Sequence, residues 1–279
     1  MALWVDEQGP SDGDPVLLLA GADSPGFRWT GAVVDPLVAA GHRVIRYDHR
    51  DCGRSSRIAP SDPYLLIDLA GDVVALLAAL GIERVHLVGR SMGGTVAQVL
   101  ALDHPRVVRS LTLLSSTPGA GDERLPGPDD VFVEAMTRRL FAGPPADDAG
   151  RIDWITDLHR LLAGPLYPFD ERGQRALAAA EIGTGWVAET GHGVAVHASP
   201  SRLDRLAEIE APTLVVHGDA DPVYPIEHGR ALGLGIDGAV LVEVEGLGHE
   251  IPDPFLAAVA PVIVRHLAGA TAWSADHQE

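Results

Sequence analysis

The segment that most restricts how this chain can fold runs from Arg84 to Leu102. An apolar run, Arg84-Val85-His86-Leu87-Val88, leads straight into Gly89-Arg90-Ser91-Met92-Gly93-Gly94, and a helical run, Thr95 to Leu102, follows. Gly89 to Gly93 spell G-x-S-x-G between a strand and a helix, the setting that gives this common pattern weight. A serine lifted off a strand end on a tight turn exposes its hydroxyl. Glycines two residues before and after it clear the space where the backbone doubles back. The helix that follows begins with free N–H groups aimed at whatever the serine meets. The alternative is an ordinary glycine-rich turn or a phosphate loop, but no G-K-[ST] or G-x-G-x-x-G accompanies the segment. Ser91 is therefore the candidate nucleophile.

The flanking sequence repeats the same strand-then-helix rhythm. Strands are expected over residues 2–6, Pro15–Ala20, His42–Tyr47, Arg84–Val88 and Val108–Leu114, with helices over Trp29–Ala40, Tyr64–Leu80 and Ser91–Asp103 between them. Continuous apolar runs such as Val16-Leu17-Leu18-Leu19 suit strands covered on both faces. The pattern therefore predicts an α/β chain with a doubly wound, mostly parallel sheet. After Thr117 the rhythm breaks into a Pro-, Gly- and Asp-rich stretch. Helical segments over Val131–Phe141, Arg151–Leu162 and Phe169–Ala180 follow. Alternation resumes with a strand at Pro212–Gly218, a helix near Ile226–Leu232, a strand at Ala239–Val244 and a helix over Pro254–Leu267, with a loose tail after Ala268. The expected organisation is a core over residues 1–118, a helical cap over 119–206 and the rest of the core over 207–279, the insertion acting as a lid.

Composition removes several classes of partner. With 46% hydrophobic residues and a mean hydropathy of +0.11, the chain can build a sizeable core. A formal charge of −18 opposes nucleic acid and anionic membrane surfaces, so neither is expected. No apolar run approaches the roughly 20 residues that span a bilayer, and the N-terminus lacks a basic region followed by an apolar one. A cytoplasmic location is expected. Cys52 is the single cysteine, which leaves no intrachain disulfide and no cysteine-based metal cluster.

A serine hydroxyl needs a base, and the base needs an acid to orient it. Two late strand-end loops supply candidates, His217-Gly218-Asp219-Ala220-Asp221-Pro222 and Gly246-Leu247-Gly248-His249-Glu250. His249 follows the last strand among small residues, and an imidazole titrates near working pH. Asp219 and Asp221 are both open as the acid, Asp219 having the alternative of a turn residue bonded to backbone. A metal site at His217, Asp219 and Asp221 is not expected, since His217 ends a buried strand and no further ligand cluster accompanies it.

Over almost its whole length the chain resembles the α/β-hydrolase fold family, and in particular the aclacinomycin methylesterase and haloperoxidase-like branch. The residues that carry the resemblance are Tyr47-Asp48-His49-Arg50-Asp51-x-Gly53-Arg54-Ser55, Val88-Gly89-x-Ser91-Met92-Gly93, Asp221-Pro222 and Gly246-x-Gly248-His249. Ala101-Leu102-Asp103-His104 and Ala195-Val196-His197 match the methylesterase branch more narrowly. The resemblance implies a helical cap inserted after the sixth strand. It makes Ser91 the nucleophile, His249 the general base and then acid, and Asp221 rather than Asp219 the orienting acid. Backbone N–H groups of Met92 and Ala22 would form the oxyanion hole. Many relatives carry His-Gly at the latter place, whereas this chain has Ala20-Gly21-Ala22-Asp23. The family also has one more strand ahead of residues 2–6, so seven strands rather than eight are expected here. The implied activity is hydrolysis of a carboxylic ester, specifically a methyl ester on a bulky, apolar, polyketide-like small molecule, without metal or organic cofactor. C–C bond hydrolysis or perhydrolysis on the same triad, and a non-hydrolytic cyclase-type use of the pocket, are the alternatives.

Other residues carry narrower expectations. Arg90 should turn away from the serine and pair with an acid behind the turn. Asp48 and Arg50 should form a buried, mutually bonded loop scaffold, and Cys52 should be inert. In the cap, Trp154, Tyr167, Trp186, His192 and His197 are candidate substrate contacts, each with ordinary cap packing as its alternative.

Overall fold

The protein is described by a computed structural model covering residues 1–188 and 190–276. Seven strands, β1 (Val5–Gln8), β2 (Pro15–Leu19), β3 (Arg43–Tyr47), β4 (Val85–Arg90), β5 (Val108–Leu114), β6 (Thr213–Gly218) and β7 (Val240–Val244), form one sheet in the order β1-β3-β2-β4-β5-β6-β7. Among the described residues only β1 runs antiparallel, against β3; the other neighbouring pairs are parallel.

Side-chain alternation along these strands is what demands helices on both faces. Leu17, Leu19, Leu87, Leu111, Leu113 and Val215 enter one core with Leu69 and Val73 of α2 (Leu66–Ala79) and Val96 and Leu100 of α3 (Met92–Asp103). Val16, Leu18, Val88, Leu114, Leu214 and Val216 enter the other, with Val33 and Leu37 of α1 (Gly31–Ala39) and Leu256 and Ile263 of α9 (Asp253–Asp276). Each fully buried Leu or Val contributes about 1.5–3 kcal/mol of transfer free energy, so leaving either face uncovered would forfeit half of the sheet's drive to form. Between β6 and β7 runs α8 (Ile226–Gly235). Helix α3 is buried all round from Met92 to Ala101, which suits a helix that must hold the serine turn rigidly beneath a cap.

The cap consists of α4 (Asp130–Ala142), α5 (Asp148–Leu162), α6 (Glu171–Gly183) and α7 (His192–Ala198). Its first three helices start where the linkers supply aspartates. Asp129, Asp147 and Asp170 each accept from backbone N–H groups in the first turn, meeting donors that the helix itself leaves free. With seven strands, the cap leaves the sheet after β5, the sixth position of an eight-strand count.

Some boundaries differ from the sequence expectation for physical reasons. β1 begins at Val5 rather than residue 2, because its register is set by pairing Val5 with Tyr47 and Gln8 with Val44. Helix α9 continues past Ala268 to Asp276 instead of ending in a loose tail. Leu267 and Ala270 are still buried there, and Thr271 Oγ1 donates to Asp14 Oδ2 at 3.0 Å, so the last turns are tied to the start of β2. The stretch Asp253–Thr271 is also long and apolar enough to cross a bilayer by length and composition, contrary to the expectation of no such run. Its apolar side chains Phe255, Leu256, Val259, Ile263 and Leu267 are spent in the core against α1 and the sheet.

Candidate active site

The turn after β4 is strained and heavily braced. Ser91 has φ 52° and ψ −120°, a region that L-residues avoid at a cost of about 1–3 kcal/mol. Its N–H donates to Leu114 O at 2.9 Å, and its carbonyl accepts from Ser116 Oγ at 3.0 Å and Gly94 N at 2.9 Å. A Cβ on Gly89 would lie 2.5 Å from the Gly93 carbonyl carbon, and one on Gly93 would run into Leu19 O. Both positions accordingly require glycine.

The serine hydroxyl meets the two late loops. His249 Nε2 lies 3.0 Å from Ser91 Oγ, and His249 Nδ1 lies 2.8 Å from Asp221 Oδ2. An Nδ1–H donated to the carboxylate leaves Nε2 free to accept the serine proton, the tautomer that nucleophilic attack needs. Asp221 Oδ1 accepts from the N–H groups of Val223 and Tyr224, each at 2.9 Å, so both carboxylate oxygens are committed. Burial would raise the Asp221 pKa, but the imidazoles of His249 and His217 and the Tyr224 N–H outweigh it and hold the carboxyl below its ordinary value. His217 donates Nε2–H to Tyr224 O at 2.7 Å, and burial pushes its pKa down, keeping it neutral. Asp219 instead accepts from Gly246 N at 2.6 Å and braces the loop that carries His249. No group of three or more His, Cys, Asp or Glu side chains is arranged for a metal among the described residues.

Gly21 packs against the serine, since a Cβ there would sit 3.5 Å from Ser91 Cβ. The loop after β2 that carries Ala22 therefore runs beside the turn from which Met92 begins α3. Among the described residues neither N–H is taken up by another group.

A second layer of polar contacts lies behind this one. Arg90 Nη2 donates to Glu250 Oε2 at 3.2 Å, as expected for a side chain turned away from the serine. Glu250 also accepts from His159 Nδ1 at 2.7 Å and Gln174 Nε2 at 2.9 Å, both from the cap. Gln174 in turn accepts from Arg28 Nη1 at 2.9 Å, and Arg28 pairs with Glu181. Burial would raise the Glu250 pKa, yet His159, Arg90 and Arg28 hold it well below the usual carboxylate range. For His159 burial dominates and lowers its pKa. A cavity of about 430 Å³ opens beside this layer, lined among others by Tyr167, Phe169, Gln174, Arg28, Arg90 and Glu250, whereas Ser91 and His249 do not line it. Sequence reasoning missed Glu250, His159, Gln174 and Glu181. The available signal was an acid placed directly after His249.

The cap candidates divide. Tyr167 lines the cavity and stacks edge-on against Phe255 at 5.7 Å. Trp186 borders a narrow cleft with Cys52, Asp51 and Glu181. Trp154 lies beneath the Arg139 guanidinium at 3.9 Å, so it serves contact within the cap instead of a pocket. His197 is exposed, with Nδ1 turned to Gly193 O at 2.9 Å. His192 is wholly buried and reaches the loop after β2. The expected Asp48–Arg50 bond is absent. Asp48 accepts from Gly26 N and Arg54 N, while Arg50 pairs with Asp72 at 2.6 Å, so in the loop after β3 each side chain finds a partner from another segment. Cys52 is buried, and burial pushes its thiol pKa well up, consistent with an inert group.

A serine–imidazole–carboxylate chain at the carboxyl edge of a doubly wound sheet, roofed by a helical insertion, defines an α/β-hydrolase type of enzyme. Residues 14–253 match the family of the alpha/beta hydrolase fold, and the chain belongs to it. It is 35% identical over 296 residues to the rhodomycin D methylesterase DnrP of Streptomyces peucetius, covering 97% of this chain and 96% of the relative. It is 36% identical over 292 residues to the rhodomycin D methylesterase DauP of Streptomyces sp. (strain C5), with the same coverage of 97% and 96%. Among solved structures, a hydrolase from Pseudomonas aeruginosa PA01 superposes with a TM-score of 0.72 at 26% identity, covering 95% of this chain and 94% of the other. The protein is a carboxylic ester hydrolase.

Proposed function

We propose that the protein hydrolyses a methyl ester on a bulky, apolar, polyketide-like molecule, with Ser91, His249 and Asp221 as its catalytic triad. The observation that carries this is the unbroken hydrogen-bonded chain from Ser91 Oγ through His249 to Asp221. The substrate class draws its support from the two relatives named as rhodomycin D methylesterases. On this reading Ser91 Oγ attacks the ester carbonyl while His249 Nε2 takes its proton, and Asp221 balances the imidazolium. The N–H groups of Met92 and Ala22 receive the oxyanion. As the tetrahedral intermediate collapses, His249 returns the proton to the departing methanol, leaving an acyl group on Ser91. Water deprotonated by His249 then attacks that acyl carbon, and the free acid leaves as Ser91 recovers its proton. No step uses a metal or an organic cofactor. We infer a cytoplasmic location, with which the single, buried free thiol is compatible.

The test is intact-protein mass spectrometry after reaction with a fluorophosphonate, beside an assay for methanol release from an aromatic polyketide methyl ester. One adduct on the wild type, none on Ser91→Ala, and loss of methanol release in that variant are expected. Methanol release that survives Ser91→Ala would overturn the proposal.

A further inference from the structure

We propose that His192, on the cap helix α7, is a positioning residue that fixes the Ala22 amide of the oxyanion hole. This rests on the triad reading above. Asp23, the residue after Ala22, has φ 58°, a left-handed conformation that an L-residue holds only when its surroundings impose it. The imposing contact comes from the cap. The Asp23 N–H donates to His192 Nδ1 at 2.9 Å. The Asp23 carboxylate accepts from Thr190 Oγ1, which itself accepts from the His192 N–H at 3.1 Å. His192 Nε2 donates to Arg50 O at 2.8 Å, which places the ring proton on Nε2 and leaves the Nδ1 lone pair for Asp23.

The consequence follows from peptide planes. The Ala22 N–H belongs to the Gly21–Ala22 peptide. On one side, the carbonyl of Ala20 accepts from His49 Nε2 at 3.2 Å. On the other, the Ala22–Asp23 peptide is held by His192. The carbonyl of the middle plane, Gly21 O, accepts from Ser24 N at 3.3 Å. A trans peptide points its N–H opposite its carbonyl, so fixing these three groups aims the Ala22 N–H at a single direction. His49 and His192 stand edge to face at 5.9 Å, with Tyr64 beyond at 6.2 Å, and His192 has no solvent exposure. One histidine from the core and one from the cap thus clamp the oxyanion loop, and the cap is part of the apparatus that receives the transition state.

The test compares His192→Ala, His192→Gln and His192→Asn. Asparagine Oδ1 stands near the place of Nδ1 and can accept from Asp23, whereas glutamine reaches the place of Nε2 and cannot. A single oxyanion donor is worth about 10²–10³ in kcat, so a misaimed one should lower kcat for p-nitrophenyl acetate by about 10- to 100-fold in the Ala and Gln variants. KM should stay within about twofold, and the asparagine variant should recover kcat to within about threefold of wild type. Inhibition by a trifluoromethyl ketone, which needs the hole, should weaken in step with kcat. Melting temperatures accompany each variant, and if the alanine protein does not fold, the contrast between Asn and Gln decides. Unchanged kcat in the glutamine variant, an effect carried by KM, or failure of asparagine to recover the rate would each overturn the proposal. Wild-type protein that takes no fluorophosphonate at Ser91 would instead sink the triad reading, so the two failures are told apart.

Discussion

Arg90 and Glu250, the chain neighbours of Ser91 and His249, meet at 3.2 Å, so the 3.0 Å contact of serine with imidazole is accompanied, one residue along each segment, by a partly buried ion pair. The nucleophile turn and the histidine loop are therefore riveted together directly behind the reacting atoms, and the rivet is bonded to His159 and Gln174 of the cap.

Glu250→Gln should cost about 3 kcal/mol at pH 7, because it keeps the shape but leaves the Arg90 charge uncompensated in a largely buried place, Arg28 keeping Glu181 as its partner. Urea unfolding measures it. The folded-state pKa of Glu250 is depressed, so its contribution is complete above the ordinary glutamate value near 4.3 and is lost as pH falls toward the folded-state value. The gap between wild type and variant should shrink between pH 5 and pH 3 (pH values spanning about that ordinary value). A constant gap would show that charge is not what Glu250 contributes.

Asp221→Asn should lower kcat by about 10⁴-fold, since an amide in that place favours the wrong imidazole tautomer. Asp219→Asn should leave kcat within about tenfold, acting only through the Gly246 N–H that it braces. Steady-state kinetics on one ester substrate with both variants separates the two carboxylates; equal losses would contradict the geometry.

The buried His49 is held neutral, its pKa pushed down to about 3 by burial and by neighbouring His192. An unfolded chain binds that proton near pH 6.5, so stability is complete above this value and falls as pH drops below it, by about 1.4 kcal/mol per pH unit. His49→Gln should therefore lose about 1 kcal/mol less than wild type between pH 6.5 and pH 5.5. Parallel urea midpoints for the two proteins over that range would refute it.

Gly93→Ala should fail to fold, or fold only with a displaced serine turn, because its Cβ meets the rigid backbone at Leu19 O and not a side chain that can yield. Near-ultraviolet circular dichroism and the fluorophosphonate label report the two outcomes; native spectra with full labelling would contradict the close approach.

What sequence could reveal follows the range of the forces involved. The turn at Gly89–Gly93 was legible because its residue pattern is compact in sequence, Gly89 being fixed by Gly93 within the turn, although Gly93 is fixed by Leu19 of the neighbouring strand. The two sheet faces were legible from runs such as Val16–Leu19, whose burial both layers share. Asp221 was separable from Asp219 only through the family resemblance, since both sit in one loop and differ in which distant group they face. Arg90 was assigned its direction but not its partner. Asp48 and Arg50 were paired with each other because they are close in sequence, although Asp72 and the Gly26 and Arg54 amides were the better-placed partners. His192 was read as a substrate contact because its polarity was visible and its tie to Asp23, 169 residues away, was not. The end of α9 was lost for a similar reason, its anchor being Asp14 at the far end of the chain.

The separation of 158 residues between the serine and its imidazole has a consequence for synthesis. The strained turn and its fully buried helix are complete in the first half of the chain, while His249 arrives only with the last loop before α9. A nascent or prematurely released polypeptide that stops short of Gly248 carries a bare hydroxyl with no partner to activate it. On the proposed triad, hydrolytic power switches on only once the ribosome has passed His249, so fragments that end earlier are idle instead of indiscriminate.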